Sequence, residues 1–200
     1  NAVNFIDGLD GLAAGIGLIA SLTFGFWFYR TGALPLALLA CGLGGSLLGF
    51  LIFNFQPAKI FMGDSGSLII GVVIYVLTTK MIEFPPVRMS AAMMDVSKPV
   101  LAMAILSYPL IDTLRVFFIR ALQGRSPFSA DKNHIHHKLL SLGLSHRQTA
   151  VALYGFTILI IAICFLTPAR TPNVSFLIVG GSAVVLSQSV FLIKSKQEKS

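Results

Sequence analysis

Residues 31–58 read TGALPLALLACGLGGSLLGFLIFNFQPA, 28 positions without one Asp, Glu, Lys or Arg. A bilayer's hydrocarbon core takes ~20 apolar residues of helix to cross, so this stretch alone is long enough. Outward from it the pattern repeats: residues 11–29, 148–169 and 171–193 are equally free of those four residue types. One compact core cannot absorb four such runs, so lipid must. The whole chain agrees, with 200 residues that are 55% hydrophobic and 12% charged. Its mean hydropathy is +0.82. A soluble domain carries about 25% charged residues. The runs are continuous rather than alternating, which selects helices over a barrel. The fold class is therefore all-α, a polytopic integral membrane protein.

Six spans fit the pattern, at about 9–29, 34–53, 65–82, 99–121, 149–167 and 174–193. The fourth is interrupted by Pro109, Asp112 and Arg115, and Lys80 can snorkel at the end of the third. Six crossings place the start of the chain (about 1–8), 54–64, 122–148 and the C-terminal tail on one side. That side holds Lys59, Arg120, Arg125, Lys132, Lys138, Arg147, Lys194, Lys196 and Lys199, against Arg30, Lys80, Arg88, Lys98 and Arg170 opposite. The positive-inside bias makes the richer side cytoplasmic. The net charge of +7 is read through this topology, and nucleic acid is not a partner. Cys41 and Cys164 lie in apolar runs and read as small buried residues, with no disulfide framework. Gly11-x-x-x-Gly15 and Gly45-x-x-x-Gly49 permit close helix contact. The chain opens on Asn-Ala-Val-Asn directly before a span, and is read as one membrane-embedded domain, the C-terminal portion of a longer protein.

Three polar clusters fall at the ends of spans on that same side. The first is Asn1-x-x-Asn4-x-x-Asp7-Gly-Leu-Asp10-Gly, where a spacing of three can set Asn4, Asp7 and Asp10 on one helical or 3₁₀ face. Asp-Gly is also a turn dipeptide, although two acids at a membrane edge are costly without a positive partner. The second runs from Asn54 to Ser67. Asp64 sits where an N-cap would sit, and the small residues after it leave N–H groups open. It is either a helix cap or a carboxylate that holds a metal ion and its phosphate. Phe61 is available to stack on a base or to anchor at the interface.

The third cluster, Arg120 to His137, holds three of the four histidines within four residues. No cysteine is near and the spacing fits no usual zinc pattern, while Mg²⁺ prefers oxygen ligands. Histidines beside Arg and Lys suit donation to a phosphate; the alternative is an incidental basic loop. His146 reads as a surface residue. Asp112, three residues before Arg115, is either an intrahelical ion pair or functional. Oxygen ligands, an open helix start and cationic donors on one membrane face are the parts phosphoryl transfer needs.

Together, NAVNFIDGLDGLAAG at 1–15, FNFQPAKIFMGDSGS at 53–67 and SPFSADKNHIHHKLL at 126–140 resemble the polyprenyl-phosphate N-acetylhexosamine-1-phosphate transferases. The resemblance covers essentially the whole chain. It implies transfer of a sugar 1-phosphate from a UDP-sugar to undecaprenyl phosphate, with Mg²⁺ or Mn²⁺, releasing UMP. It makes Asp64 a metal ligand with Asn4 beside the metal, and gives Asp7 and Asp10 contacts to the nucleotide sugar. By the same resemblance Asn54 and Phe61 line the uridine pocket, and His134, His136 and His137 engage the pyrophosphate or sugar. Arg120 becomes a phosphate contact. The His-Ile-His-His form resembles the WecA/TagO group, which implies UDP-GlcNAc or a related UDP-HexNAc; the MraY branch has three adjacent histidines. The family's earlier Asp-Asp-x-x-D-type motif is absent from these residues, so the chain alone is expected to be inactive. The implied setting is the bacterial inner membrane, with the site on the cytoplasmic side and a homodimer as a possible assembly. The rivals are a secondary transporter and a non-catalytic membrane scaffold.

Overall fold

The computed structural model describes residues 2–89, 91–124, 134–167 and 171–193. Asn1, Arg125, Asp131, Lys132, Asn133, Arg170 and the lysines at 194, 196 and 199, all used above, lie outside the described residues. The described residues form helices α1 (Ala2–Phe5), α2 (Leu12–Arg30), α3 (Leu34–Asn54), α4 (Gly63–Ile82), α5 (Ala91–Met94), α6 (Lys98–Ile105), α7 (Ser107–Leu122), α8 (Ile135–Ser141), α9 (His146–Leu166) and α10 (Pro172–Leu192). A short 3₁₀ turn at Pro86–Arg88 lies between α4 and α5. Among the described residues five helices are long and apolar enough to cross a membrane, and α6 with α7 forms a bent pair that counts as a sixth only if taken as one span.

Helix α2 is the axis of the bundle. Two-thirds of its apolar window is buried, against 22–39% for the other four long helices. Its sequence explains this: Ala13, Ala14, Gly15, Gly17, Ala20, Ser21 and Gly25 are all buried and small, so neighbouring backbones can approach it closely. Helices α3, α4 and α9 pack around it. At the end away from the polar clusters, Trp27 closes the core edge-on against Phe28 and Phe84, with ring centroids 5.1 and 5.3 Å apart. The outward faces of the other spans carry exposed Leu38, Ile52, Ile69, Leu177 and Val185, as a lipid-facing surface requires.

Some expectations shift in register. The fourth span is not one interrupted helix but two helices that meet at Leu106 with a bend of 74°. Pro109 causes it. In an unbroken helix its ring would clash with the carbonyl of Ile105, whereas in the first turn of α7 its missing N–H costs nothing. The first span begins at Leu12 rather than 9, because Gly11 takes a left-handed φ of 79° and starts the helix there. Cys164 is buried as expected, but Cys41 is exposed, although its Sγ lies against Gly25 of α2. The two Gly-x-x-x-Gly pairs also differ. A Cβ on Gly15 would clash with the Tyr154 ring, whereas Gly45 and Gly49 face open space.

That difference is testable. Gly15→Ala should destabilise by roughly 1–3 kcal/mol through overpacking, read as a lowered thermal midpoint of the detergent-solubilised protein. Adding Tyr154→Ala should recover part of the loss, and Gly45→Ala should not lower the midpoint.

Candidate active site

The polar clusters converge at one end of the bundle. Helix α1 lies between α4 and α7. From it the Asn4 amide Nδ2 donates to Asp64 Oδ1 at 2.9 Å and to Ser67 Oγ at 3.0 Å. The amide oxygen of Asn4 is thereby left to accept from, or ligate, something else. Phe5, the next residue, packs edge-on against Phe117 of α7 with centroids 6.2 Å apart. One turn of helix therefore holds the first cluster against both the second cluster and the span that leads to the third.

Asp64 is exposed and sits inside the first turn of α4, not at its N-cap; Met62 takes that position and makes no side-chain cap. An acid in a first turn still suits the helix dipole. The Asp7 carboxyl is pushed up to about 6, first by partial burial and then by the nearby Asp64 charge. Two carboxylates and an amide oxygen form a hard-oxygen set with unrelieved negative charge. That is the donor chemistry a Mg²⁺-sized cation takes, so the residues fit the metal the resemblance implies.

Residues 6–11 run through turns rather than one helical face. Asn4 and Asp7 consequently face Asp64, whereas Asp10 Oδ2 accepts from the Ala58 N–H at 3.4 Å. Asp7, Gly8, Leu9, Asp10, Asn54, Phe61 and Met62 line a pocket of about 180 Å³. Phe61 is 77% exposed there, free to meet a planar ligand. Asn54 is different. It is buried, accepts from the Gly11 N–H at 3.0 Å and donates to the Ile60 carbonyl at 2.9 Å. It fastens the second cluster to the start of α2, and its polar atoms are spent on backbone.

The three histidines cluster, and their environments differ. His134 and His136 are stacked with centroids 5.4 Å apart, and His137 lies 4.3 Å from His136. His136 is buried, with Nδ1 3.3 Å from the Tyr108 hydroxyl. Burial pushes its pKa down to about 4, aided by His137 and His134 and opposed by Asp112. Burial thus favours its neutral form. Its Nε2 lies 3.5 Å from where a Cβ on Gly8 would be, which joins the first and third clusters directly. His134 shares a narrow crevice with Arg120, Phe5 and Phe117, and Arg120 is buried on α7. His146 is exposed, as expected.

Sequence reading left Asp112 open between an ion pair with Arg115 and a functional role, and the structure places it against the histidine cluster. It is wholly buried, with Oδ2 2.7 Å from His134 Nδ1 and Oδ1 accepting the Ile135 N–H at 2.7 Å. Arg115, its suggested helical partner, holds its guanidinium 3.4 Å over the Phe191 ring. The available signal was an acid inside an apolar run, which is costly there and marks function by default.

Comparison with known proteins fits this constellation. Residues 1–82 match Glycosyl transferase family 4. The decaprenyl-phosphate N-acetylglucosaminephosphotransferase of Mycolicibacterium smegmatis is 39% identical over 212 residues, covering 96% of this chain and 50% of that protein. The protein of that name from Mycobacterium tuberculosis H37Rv is 41% identical over 169 residues, 77% of this chain and 41% of its own. The undecaprenyl-phosphate alpha-N-acetylglucosaminyl 1-phosphate transferase of Escherichia coli K12 is 31% identical over 159 residues, 76% and 41%. The match to glycosyl transferase family 4 and these relatives support the WecA/TagO-like resemblance. The chain spans about half the length of the curated relatives it matches.

The burial of His136 sets a pH signature. Its folded pKa lies below the unfolded value of about 6.5, so the stability it contributes is complete above that value. It is lost as pH falls from there toward 4. Thermal midpoints measured from pH 7 to 4.5 should therefore fall more steeply for the wild type than for His136→Asn.

Proposed function

We propose that the protein bearing these residues transfers GlcNAc-1-phosphate from UDP-GlcNAc, or a related UDP-HexNAc, to undecaprenyl phosphate at the bacterial inner membrane. The observation that carries the reading is the oxygen cluster of Asn4, Asp7 and Asp64, joined to the histidine loop through Gly8 and His136 at one end of a membrane bundle. The printed names of the relatives, which pair a polyprenyl phosphate with N-acetylglucosamine phosphate, point the same way. Lys59, Lys138 and Arg147 sit at that end, which supports a cytoplasmic placement by the positive-inside bias.

An oxygen of the polyprenyl phosphate forms a bond to the β-phosphorus of the UDP-sugar. The bond from that phosphorus to the oxygen bridging the α-phosphate breaks, and UMP leaves with the electron pair. Asp64 and Asn4 would hold a Mg²⁺ ion, which would supply neutralisation of the diphosphate charge when bound. Asp7 completes the anionic cluster around that position, Asp10 and Phe61 border the pocket for the nucleotide, and Arg120 with His134 and His137 lines the phosphate side. A phosphate monoester is already a nucleophile near neutral pH, so positioning and charge balance are the work left to the protein.

The complete reading frame containing these residues, expressed in membranes lacking such an enzyme, tests this. Given radiolabelled UDP-GlcNAc, undecaprenyl phosphate and Mg²⁺, label should enter the lipid fraction and be abolished by EDTA. Asp64→Asn should lower it by at least two orders of magnitude while the protein still accumulates. Residues 1–200 expressed alone should give no product. Label only from UDP-MurNAc-pentapeptide would instead assign the MraY-type donor, and no label from either donor would overturn the transferase reading.

A further inference from the structure

Asp112 makes an arrangement that a helix cap alone does not explain. A carboxylate is acceptor-only, and this one is wholly buried. One oxygen takes the first N–H of α8, from Ile135, and the other takes His134 Nδ1, each at 2.7 Å. The same group thus fixes the backbone on which His134 sits and the hydrogen on its ring. His134 itself remains partly open, with 13% of its side chain exposed. Its Nε2 is the nitrogen left for a ligand.

We propose that Asp112 is a positioning residue that holds His134 in the Nδ1–H form, so that Nε2 is the atom at which His134 accepts from or donates to a substrate phosphate. The proposal rests on the transferase reading above for the identity of that phosphate, but the geometry it invokes stands without it. The bend between α6 and α7 supports it, because that bend carries Asp112 to His134 in place of running it up a straight span. Arg120, two turns further along α7, borders the same crevice as His134, so α7 supplies both the orienting acid and a cation beside the imidazole.

Asp112→Asn separates positioning from capping. The asparagine oxygen still accepts the Ile135 N–H and the side chain fills the same volume, so a purely structural role survives. Its NH₂, however, must donate to Nδ1, which forces the Nε2–H tautomer. That is the logic by which an Asp→Asn change lowers kcat about 10⁴-fold in serine proteases with the geometry intact.

The experiment uses the complete reading frame with ¹⁵N-labelled histidine, observed above the imidazole titration range and assigned by difference with His134→Gln. The expected result is Nδ1–H for His134 in the wild type and Nε2–H in Asp112→Asn, with kcat down roughly 10²–10⁴-fold in protein that accumulates normally. Wild-type rates in Asp112→Asn, or an Nε2–H tautomer in the wild type, would overturn the proposal. If Asp112→Asn does not accumulate, the wild-type tautomer decides. A wild type with the Nδ1–H tautomer and no transfer activity upholds the assignment and counts against the transferase reading instead.

Discussion

The polar end of this bundle depends on how the chain enters α2 at Gly11. Its φ of 79° is closed to ordinary side chains, and a Cβ would stand 2.9 Å from the Phe55 ring and 3.3 Å from the Tyr154 hydroxyl. Both of its peptide groups are used. The N–H donates to Asn54 at the end of α3, and the carbonyl accepts from Tyr154 of α9. Three spans are therefore pinned at one backbone position. Residues 2–10 have no freedom to extend the helix and fold back over the bundle's end instead. Asn4 and Asp7 are consequently delivered to Asp64, sixty residues away in sequence.

The electrostatics follow from that folding back. At the edge of a low-dielectric slab, acids repel strongly and need a partner. Asp10 finds a backbone N–H, and Asp64 finds the Asn4 amide. Asp7 is half-buried beside the Asp64 charge, and burial first and that charge second push its carboxyl up to about 6. The loop carrying Phe61 is tied down separately, by Asn54 at one point and by Gln56 at another, where its Oε1 accepts the Arg147 N–H at 3.0 Å. A rigid frame under an exposed aromatic ring and an unrelieved acid is the physical form of a site awaiting a charged, planar ligand.

The long spans were legible because charge-free runs leave helices in lipid no alternative. The three clusters were legible because polar residues at span ends are few and local. What was not legible required partners distant in the chain. Asn54 borders the same pocket as Phe61, as the resemblance implies, but that its amide also ties down the Gly11 and Ile60 backbone could not be read from the sequence. Nothing in the order of residues states that His136 would be buried and His134 partly open, since both follow from where α8 packs. Cys41 was assigned inward from composition, but an apolar run in lipid carries no signal of which face is inside. Mean hydropathy cannot separate a lipid-facing residue from a core one.

Asp112 shows how the bend decides between two functional classes. In a straight helix through residue 122, Asp112 would lie ten residues, about 15 Å, from the end. That is the middle of a hydrocarbon core about 30 Å thick. An acid there on a broken helix is the signature of a transporter's midplane site. The helix does break, with a bend of 74°, but Asp112 lies beyond the break, and both of its oxygens are spent on His134 and the Ile135 N–H at the start of α8. The cavity at the break itself, about 460 Å³, is walled mainly by Met103, Leu110, Ile111, Leu114, Phe176 and Leu177, with Ser107 as its polar side chain and no charged residue in its lining. The charged groups of α7 are carried away from the break and toward the histidine loop. Asp112 is thus committed to the histidine loop at the end of the bundle and does not face the cavity at the break.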